Sequence, residues 1–363
     1  MHHDHRVLFV VPDVGSNHMN RLRSLCLICD QIGWGWHVAG PSATGAIWQP
    51  LAGTPRWTEQ TTITDGSKAA LSSLAKRARL VVACKPMPEC LLPAKRVARQ
   101  HRLPLMIDID DPDFDVRRAV YAQPQWKRLG KLPRRLGRLA KLAMAERLTR
   151  TLPGTTSNPM LQQRYGGIIV PHAIEDTGPG APHVNNAPTV AFVGTVREHK
   201  GIDSLRRAVA SIQDAQPVCL KITADAPADA KPWEQWLGTV SIESAHRLTA
   251  EADIMALPSI AVDYGTAQLP AKLLAGMMLG RAVIASDLPP IRWALADTGL
   301  LVEPGSTEAL TEALTTLCDP QKRASFGKRA RERALTMFTP AACAAVVASL
   351  FDQLTGSATP QAS

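Results

Sequence analysis

No uninterrupted apolar run in this 363-residue chain reaches the roughly 18–20 residues that a bilayer-spanning helix needs. The opening Met1-His2-His3-Asp4-His5-Arg6 leads straight into an apolar strand. It lacks the charged n-region, long apolar core and small-residue cleavage site of a secretory signal, so a cytoplasmic location is expected. Seven cysteines are too few for a disulfide scaffold at this length. Cys26 and Cys29 form a C-x-x-C, but it falls within a stretch, 21–32, that reads as an amphipathic helix, and no second pair or histidine cluster completes a zinc site. Core packing is the better account of them. Tandem repeats at periods of 20–50 residues are absent too, which excludes a solenoid.

What remains is a chain 45% hydrophobic and 20% charged, long enough for two globular domains. Short apolar runs alternate with helical patterns. Strands are expected at 7–11, 36–39, 80–84, 105–109, 151–153 and 168–171, and again at 189–193, 218–223, 254–257, 282–285 and 299–302. Helices are expected between them, with later ones at 307–317 and 321–337 and a last one at 340–354, where Thr339 is a good N-cap and Pro340 a good first residue. Such alternation implies doubly wound α/β sheets. The Gly- and Pro-rich stretch around 176–188 divides them, giving an N-terminal domain at 1–178, a linker at 179–188, a C-terminal domain at 189–339 and a final helix and tail at 340–363.

In doubly wound sheets, ligands collect at the carboxyl ends of strands and at helix N-termini. Phe192-Val193-Gly194-Thr195-Val196-Arg197-Glu198-His199-Lys200-Gly201 has a strand ending in glycine, two cations and a helix start. Gly194 lets a ligand approach the backbone, and Arg197 and Lys200 could neutralise a diphosphate. An ordinary βα loop with surface cations meets the same spacing. Ala267-Gln268-Leu269-Pro270-Ala271-Lys272 places a proline at a helix start and a glutamine able to bond sugar hydroxyls, although a cap with packing explains it equally. Asp108, Asp110, Asp111, Asp113 and Asp115 lie at or just past a strand end. They could hold a divalent cation, contact a reacting hydroxyl or cap the next helix.

Together these blocks resemble the retaining GT-B glycosyltransferases (family 4-like, glycosyl transferases group 1). The likeness extends through Leu105-Met106-Ile107-Asp108-Ile109-Asp110-Asp111, Ser157-Asn158, Arg164-Tyr165-Gly166-Gly167, Val170-Pro171-His172, Ala252-Asp253-Ile254 and Gly299-Leu300-Leu301-Val302-Glu303-Pro304-Gly305. It implies two Rossmann-like domains facing a central cleft, with the last helix crossing back to the N-domain. The implied reaction is metal-independent transfer, with retention, from a UDP- or GDP-linked sugar, and no cofactor is needed. Gly194, Thr195, Arg197, Lys200, Gln268, Leu269 and Lys272 would hold the donor. Asp110 and Asp111 would be catalytic, and Gly15, Ser16, Asn17, His18 and Asp113 would form the acceptor side. The sequence departs from the family in two places: the arginine usual directly after the loop glycine is Thr195, with the cation moved to Arg197, a variant the family tolerates, and two glutamates eight positions apart are replaced by Ala267 and Ala275, with Asp263 or Gln268 as possible substitutes. A catalytically impaired binding or regulatory partner on the same fold is therefore the alternative to an enzyme, and a sugar-nucleotide epimerase is a third reading.

The net charge of +9 is local. Residues 117–150 hold eleven bases against a single acid, Glu146, and the rest of the chain sums to −1. In its second half Leu132, Leu136, Leu139 and Ala143 follow helical spacing among Arg134, Arg135, Arg138 and Lys141. Cations beside a narrow apolar stripe suit an anionic membrane surface or a polyanionic acceptor. Only Tyr121 and Trp126 are interleaved there, so nucleic acid is not an expected partner.

Overall fold

The computed structural model describes residues 5–64, 68–122, 132–194, 200–260 and 267–356. It divides into two units, Met1–Ala173 with Pro340–Ser363, and Ile174–Thr339.

The first unit runs β1 (Arg6–Val10), α1 (His18–Gln31), β2 (Gly35–Gly40), α2 (Gln49–Ala52), α3 (Pro55–Glu59), β3 (Thr61–Ile63), α4 (Lys68–Ala75), β4 (Leu80–Cys84) and α5 (Pro88–His101). It continues with β5 (Leu105–Ile109), α6 (Asp113–Ala122), α7 (Leu132–Thr149), β6 (Gly154–Thr156), α8 (Pro159–Tyr165) and β7 (Ile168–Ile169). All seven strands are parallel, in the order β3-β2-β1-β4-β5-β6-β7. The continuous apolar runs of β1 and β4 are buried on both faces, as a sheet covered by helices on both sides requires. The strand order reverses at β1, so the β1 and β4 loops leave in opposite directions and open a crevice at the carboxyl edge.

The second unit contains β8 (Thr189–Phe192), α9 (Ile202–Ile212), β9 (Cys219–Ile222), β10 (Glu234–Trp236), α10 (Ile242–Glu251), β11 (Ile254–Leu257) and α11 (Ala271–Met278). After these come β12 (Ala282–Ser286), α12 (Pro289–Leu295), β13 (Leu300–Val302), α13 (Thr307–Leu317) and α14 (Pro320–Met337). The order β10-β9-β8-β11-β12-β13 is again wholly parallel, and apolar clusters cover both faces of the sheet. The final helix, α15 (Pro340–Thr355), buries Cys343, Val347 and Phe351 in the core of the first unit.

Several elements differ from the sequence expectation. The stretch read as a linker at 179–188 is strapped to the second unit: Gly180 N–H donates to Leu279 O, Ala181 N–H to Ala250 O, and the Asn185 amide to Asp253. Gly180 is glycine because a Cβ there would strike the Ala250 carbonyl. The boundary between units therefore falls at Ala173 and Ile174 instead of after 178. The strand expected at 151–153 forms three residues later, as β6. Thr151 and Leu152 still donate to Leu148 and Thr149 in the closing turn of α7, and Gly154 is the first residue able to lie against Ile107. On α7 the core-facing residues are Leu142, Ala145, Glu146 and Thr149, while Leu139 is half-buried and Ala143 exposed. The side chains of Leu132, Arg134, Arg135 and Leu136 lie outside the described residues. Cys26 and Cys29 are buried in the core of the first unit.

One segment, Pro320–Thr355, has the length and composition of a membrane span. It is two helices, interrupted at Phe338 and Thr339. The second has 16 residues, roughly 24 Å at 1.5 Å per residue, less than the ~30 Å of a bilayer core.

Candidate active site

At the carboxyl edge of the first sheet, β4 ends in Lys85, which is 4% exposed and has φ 101°, a region costly for a side chain larger than glycine. That backbone turn sends the side chain into the Asp-rich β5–α6 loop. Lys85 Nζ lies 2.7 Å from Asp110 Oδ1, 2.8 Å from Asp111 Oδ2 and 3.3 Å from Asp113 Oδ2. Burial opposes the charge on Lys85, but attraction to Asp110, then Asp113 and Asp111, outweighs it and holds the ammonium well above its usual pKa. Burial pushes Asp113 up to about 7, with Asp110 and Asp111 adding to the rise and Lys85 opposing it. Asp110 is itself buried, yet Lys85 and then His172 bring it below the ordinary carboxylate value. Of the three, Asp111 keeps the most side-chain surface, 30%. The lysine ammonium thus sits where these carboxylates converge, and Asp113 and Asp115 form the first turn of α6, where the helix dipole favours acids.

Two histidines flank this cluster. His18 begins α1; burial and the Lys85 charge lower its pKa, and its Nδ1 is 2.9 Å from Ser16 Oγ. His172 is buried, and burial together with the Arg21 charge lowers it to about 4. Behind them Arg21 pairs with Asp108 at 2.6 and 2.9 Å and donates to the Val170 and Pro171 carbonyls, while Thr155 Oγ1 donates to Asp108. Asp108 is therefore an internal brace joining α1, β5 and β6. Gly15 is explained by packing, since a Cβ there would meet Ser42, Thr44 and Ala46. Ser16 donates to Asp13 O, and Asn17 is exposed at the helix start.

In the second unit, β8 runs into Gly194, whose N–H donates to Thr223 Oγ1 at 2.7 Å, just past the end of β9. Gly194 has φ 131°, and a Cβ there would collide with Lys272 Nζ. Lys272 rises from the first turn of α11 and also lies over the Phe192 ring, 4.9 Å from its centre. Burial, reinforced by Lys200, lowers Lys272 to about 8. It forms no ion pair among the described residues. Gly201 begins α9 in the left-handed region, tight against the Pro258 carbonyl.

Of the residues expected to hold a donor, Gly194, Lys200 and Lys272 thus come together. Gln268 is exposed before α11, whereas the Leu269 side chain is 2% exposed and belongs to the core of the unit, leaving only its backbone available. Thr195, Arg197 and Asp263 lie outside the described residues. Sequence reasoning missed Lys85, Thr223 and the partnering of His172; their common signal is position at or just past a strand end.

Residues 187–319 match the family model described as glycosyl transferases group 1. Among curated proteins, an alpha-maltose-1-phosphate synthase of Mycolicibacterium smegmatis is 30% identical over 180 residues, 42% of this chain and 45% of that protein. A D-inositol 3-phosphate glycosyltransferase of Corynebacterium glutamicum is 33% identical over 184 residues, 45% of this chain and 43% of that protein. The matches thus span less than half the length of these relatives. Among solved structures, Anabaena HepE in complex with UDP-glucose superposes with a TM-score of 0.70 at 16% identity, covering 96% of this chain and all of that one. A sucrose-phosphate synthase from Thermosynechococcus elongatus gives 0.66 at 16% identity over 97% and 99% of the two chains. These likenesses show the fold, two parallel α/β sheets of the GT-B glycosyltransferase type. The residues that match the family model lie within the second unit, where the β8–α9 loop and the α11 start carry Gly194, Lys200 and Lys272.

Proposed function

We propose that the protein is a glycosyltransferase using a nucleotide-diphosphate sugar, without a metal ion and with retention of anomeric configuration. The observation that carries this reading is Lys272: a half-buried ammonium over a strand-end glycine, beside Lys200, with no ion-pair partner among the described residues. Such a cation is completed by an anion, and a diphosphate is the anion that strand ends of this kind accommodate. Arg197 would join it. The HepE complex contains UDP-glucose, which favours a UDP-linked donor.

In the reaction the bond from sugar C1 to the diphosphate oxygen breaks, its electrons stay on the departing diphosphate, and Lys272, Lys200 and Arg197 stabilise that charge. The acceptor oxygen forms the new bond to C1 and gives its proton to a carboxylate. Asp111 is the better candidate for contact, because Asp110 is buried against Lys85 and acts as a positioning residue. His18, Ser16 and Asn17 with Asp113 would complete the acceptor edge. The names of both curated relatives contain a phosphorylated sugar or inositol, which favours an acceptor or product bearing phosphate. The exposed Arg138, Lys141 and Met144 on α7 support contact of a cytoplasmic enzyme with an anionic membrane.

The test is calorimetry with UDP and GDP on wild type, Lys272→Ala and Arg197→Ala. Loss of either charge-assisted bond is expected to cost about 1.5–3 kcal/mol in affinity for whichever nucleotide binds. Unchanged affinity in both variants removes the donor assignment.

A further inference from the structure

A second cationic site lies in the first unit, apart from the Lys85 cluster. A cavity of about 40 Å³ is lined by Met87, Pro88 and Glu89 at the start of α5, Arg117 of α6, and Arg138, Lys141 and Leu142 of α7. One water needs roughly 10–15 Å³ by this measure, so the space takes a group of about three non-hydrogen atoms or the outer face of a tetrahedral anion. Its charges do not balance. Arg117 is 3.7 Å from Glu89, the one carboxylate of the lining, which leaves Arg138 and Lys141 in excess, and neither forms an ion pair among the described residues. By contrast, Arg118 and Arg150 both pair with Glu146. The two free cations are three apart on one helix, so they face the same opening. Met87, Pro88 and Leu142 supply an apolar floor, which strengthens a charged contact by limiting solvent.

We propose that this cavity binds one phosphate group, and that it is the point where a phosphate-bearing acceptor is anchored to the first unit. The anchoring role rests on the glycosyltransferase reading above, whereas the phosphate site itself does not. The lining begins two residues after Lys85, at the carboxyl edge that also carries Asp111. A phosphate held there therefore keeps the rest of the molecule on the acceptor side of the unit.

The full chain is titrated by calorimetry with inorganic phosphate and glycerol phosphate, and by co-sedimentation with phosphatidylglycerol vesicles. Arg138→Gln/Lys141→Gln is compared with Arg147→Gln, an exposed cation on the same helix outside the cavity, and Lys272→Gln separates phosphate bound by the second unit. The double variant is expected to weaken binding at least tenfold, with Arg147→Gln within twofold of wild type. Tenfold loss with glycerol phosphate identifies a soluble phosphate ester, and loss confined to vesicles identifies a lipid headgroup; both support the site. Equal losses in the double variant and Arg147→Gln, or no loss with any probe, overturn it. UDP affinity is measured alongside: a chain that binds phosphate here but no nucleotide keeps this inference and loses the donor reading.

Discussion

Replacing Asp113 by Asn removes the most weakly held of three carboxylates around one ammonium, at 3.3 Å against 2.7 and 2.8 Å for its neighbours. In the folded protein its pKa is pushed from the ordinary 3.8 to about 7. Between those two values the folded chain holds a proton that the unfolded chain has released, so stability from this group is complete below about pH 4 and lost as pH rises through about 7. At 1.36 kcal/mol per pH unit the ceiling on that loss is roughly 4 kcal/mol. Asparagine has the shape of the protonated acid and does not titrate. Asp113→Asn is therefore expected to match wild type near pH 4 and to be more stable above pH 7, by as much as ~4 kcal/mol. Urea unfolding at pH 4.5, 6 and 8 measures the difference directly. A variant less stable than wild type at pH 8 would mean that the Lys85–Asp113 attraction outweighs crowding among the carboxylates, and the electrostatic account of this loop would be wrong.

Three other outcomes are expected. Asp111→Asn should lower kcat by about 100-fold or more while leaving UDP affinity intact, as read by nucleotide release and calorimetry; undiminished turnover removes Asp111 from the reaction. Nucleotide-diphosphate affinity should fall as pH rises through about 8, where Lys272 loses its proton, and Lys272→Arg should flatten that profile because arginine stays charged. Arg21→Met should destabilise the first unit by about 3–5 kcal/mol in denaturant unfolding, since it leaves Asp108 buried without its counter-charge; a loss under 1 kcal/mol would show that the Thr155 hydrogen bond suffices.

The alternating pattern of the two halves was legible because parallel strands buried on both faces leave continuous apolar runs, as in 80–84 and 254–257. The short edge strands β3 and β10 left no such run, since each spans three residues and is only partly covered. Gly194 and the α11 start could be found because glycine and proline mark backbone geometry in sequence. Lys85 could not be found that way. One lysine after an apolar strand has no periodicity, and its partners lie 25 to 28 residues away, joined only by the pairing of β4 with β5. Adjacency in a motif says nothing about direction: Gln268 is exposed while the side chain of Leu269 points into the core.

The packing of α15 has a consequence for synthesis. The chain leaves the first unit at Ala173 and rejoins it at Pro340, so the second unit is an uninterrupted stretch that emerges from the ribosome before the first can finish. Until residues 340–355 appear, Trp34 lacks the Phe351 ring that meets it edge-on at 5.0 Å, and the groove along α1 that takes Val347 stays open to water. The half of the molecule translated first is thus the half completed last, and it must persist with an unsealed apolar seam while the later half folds.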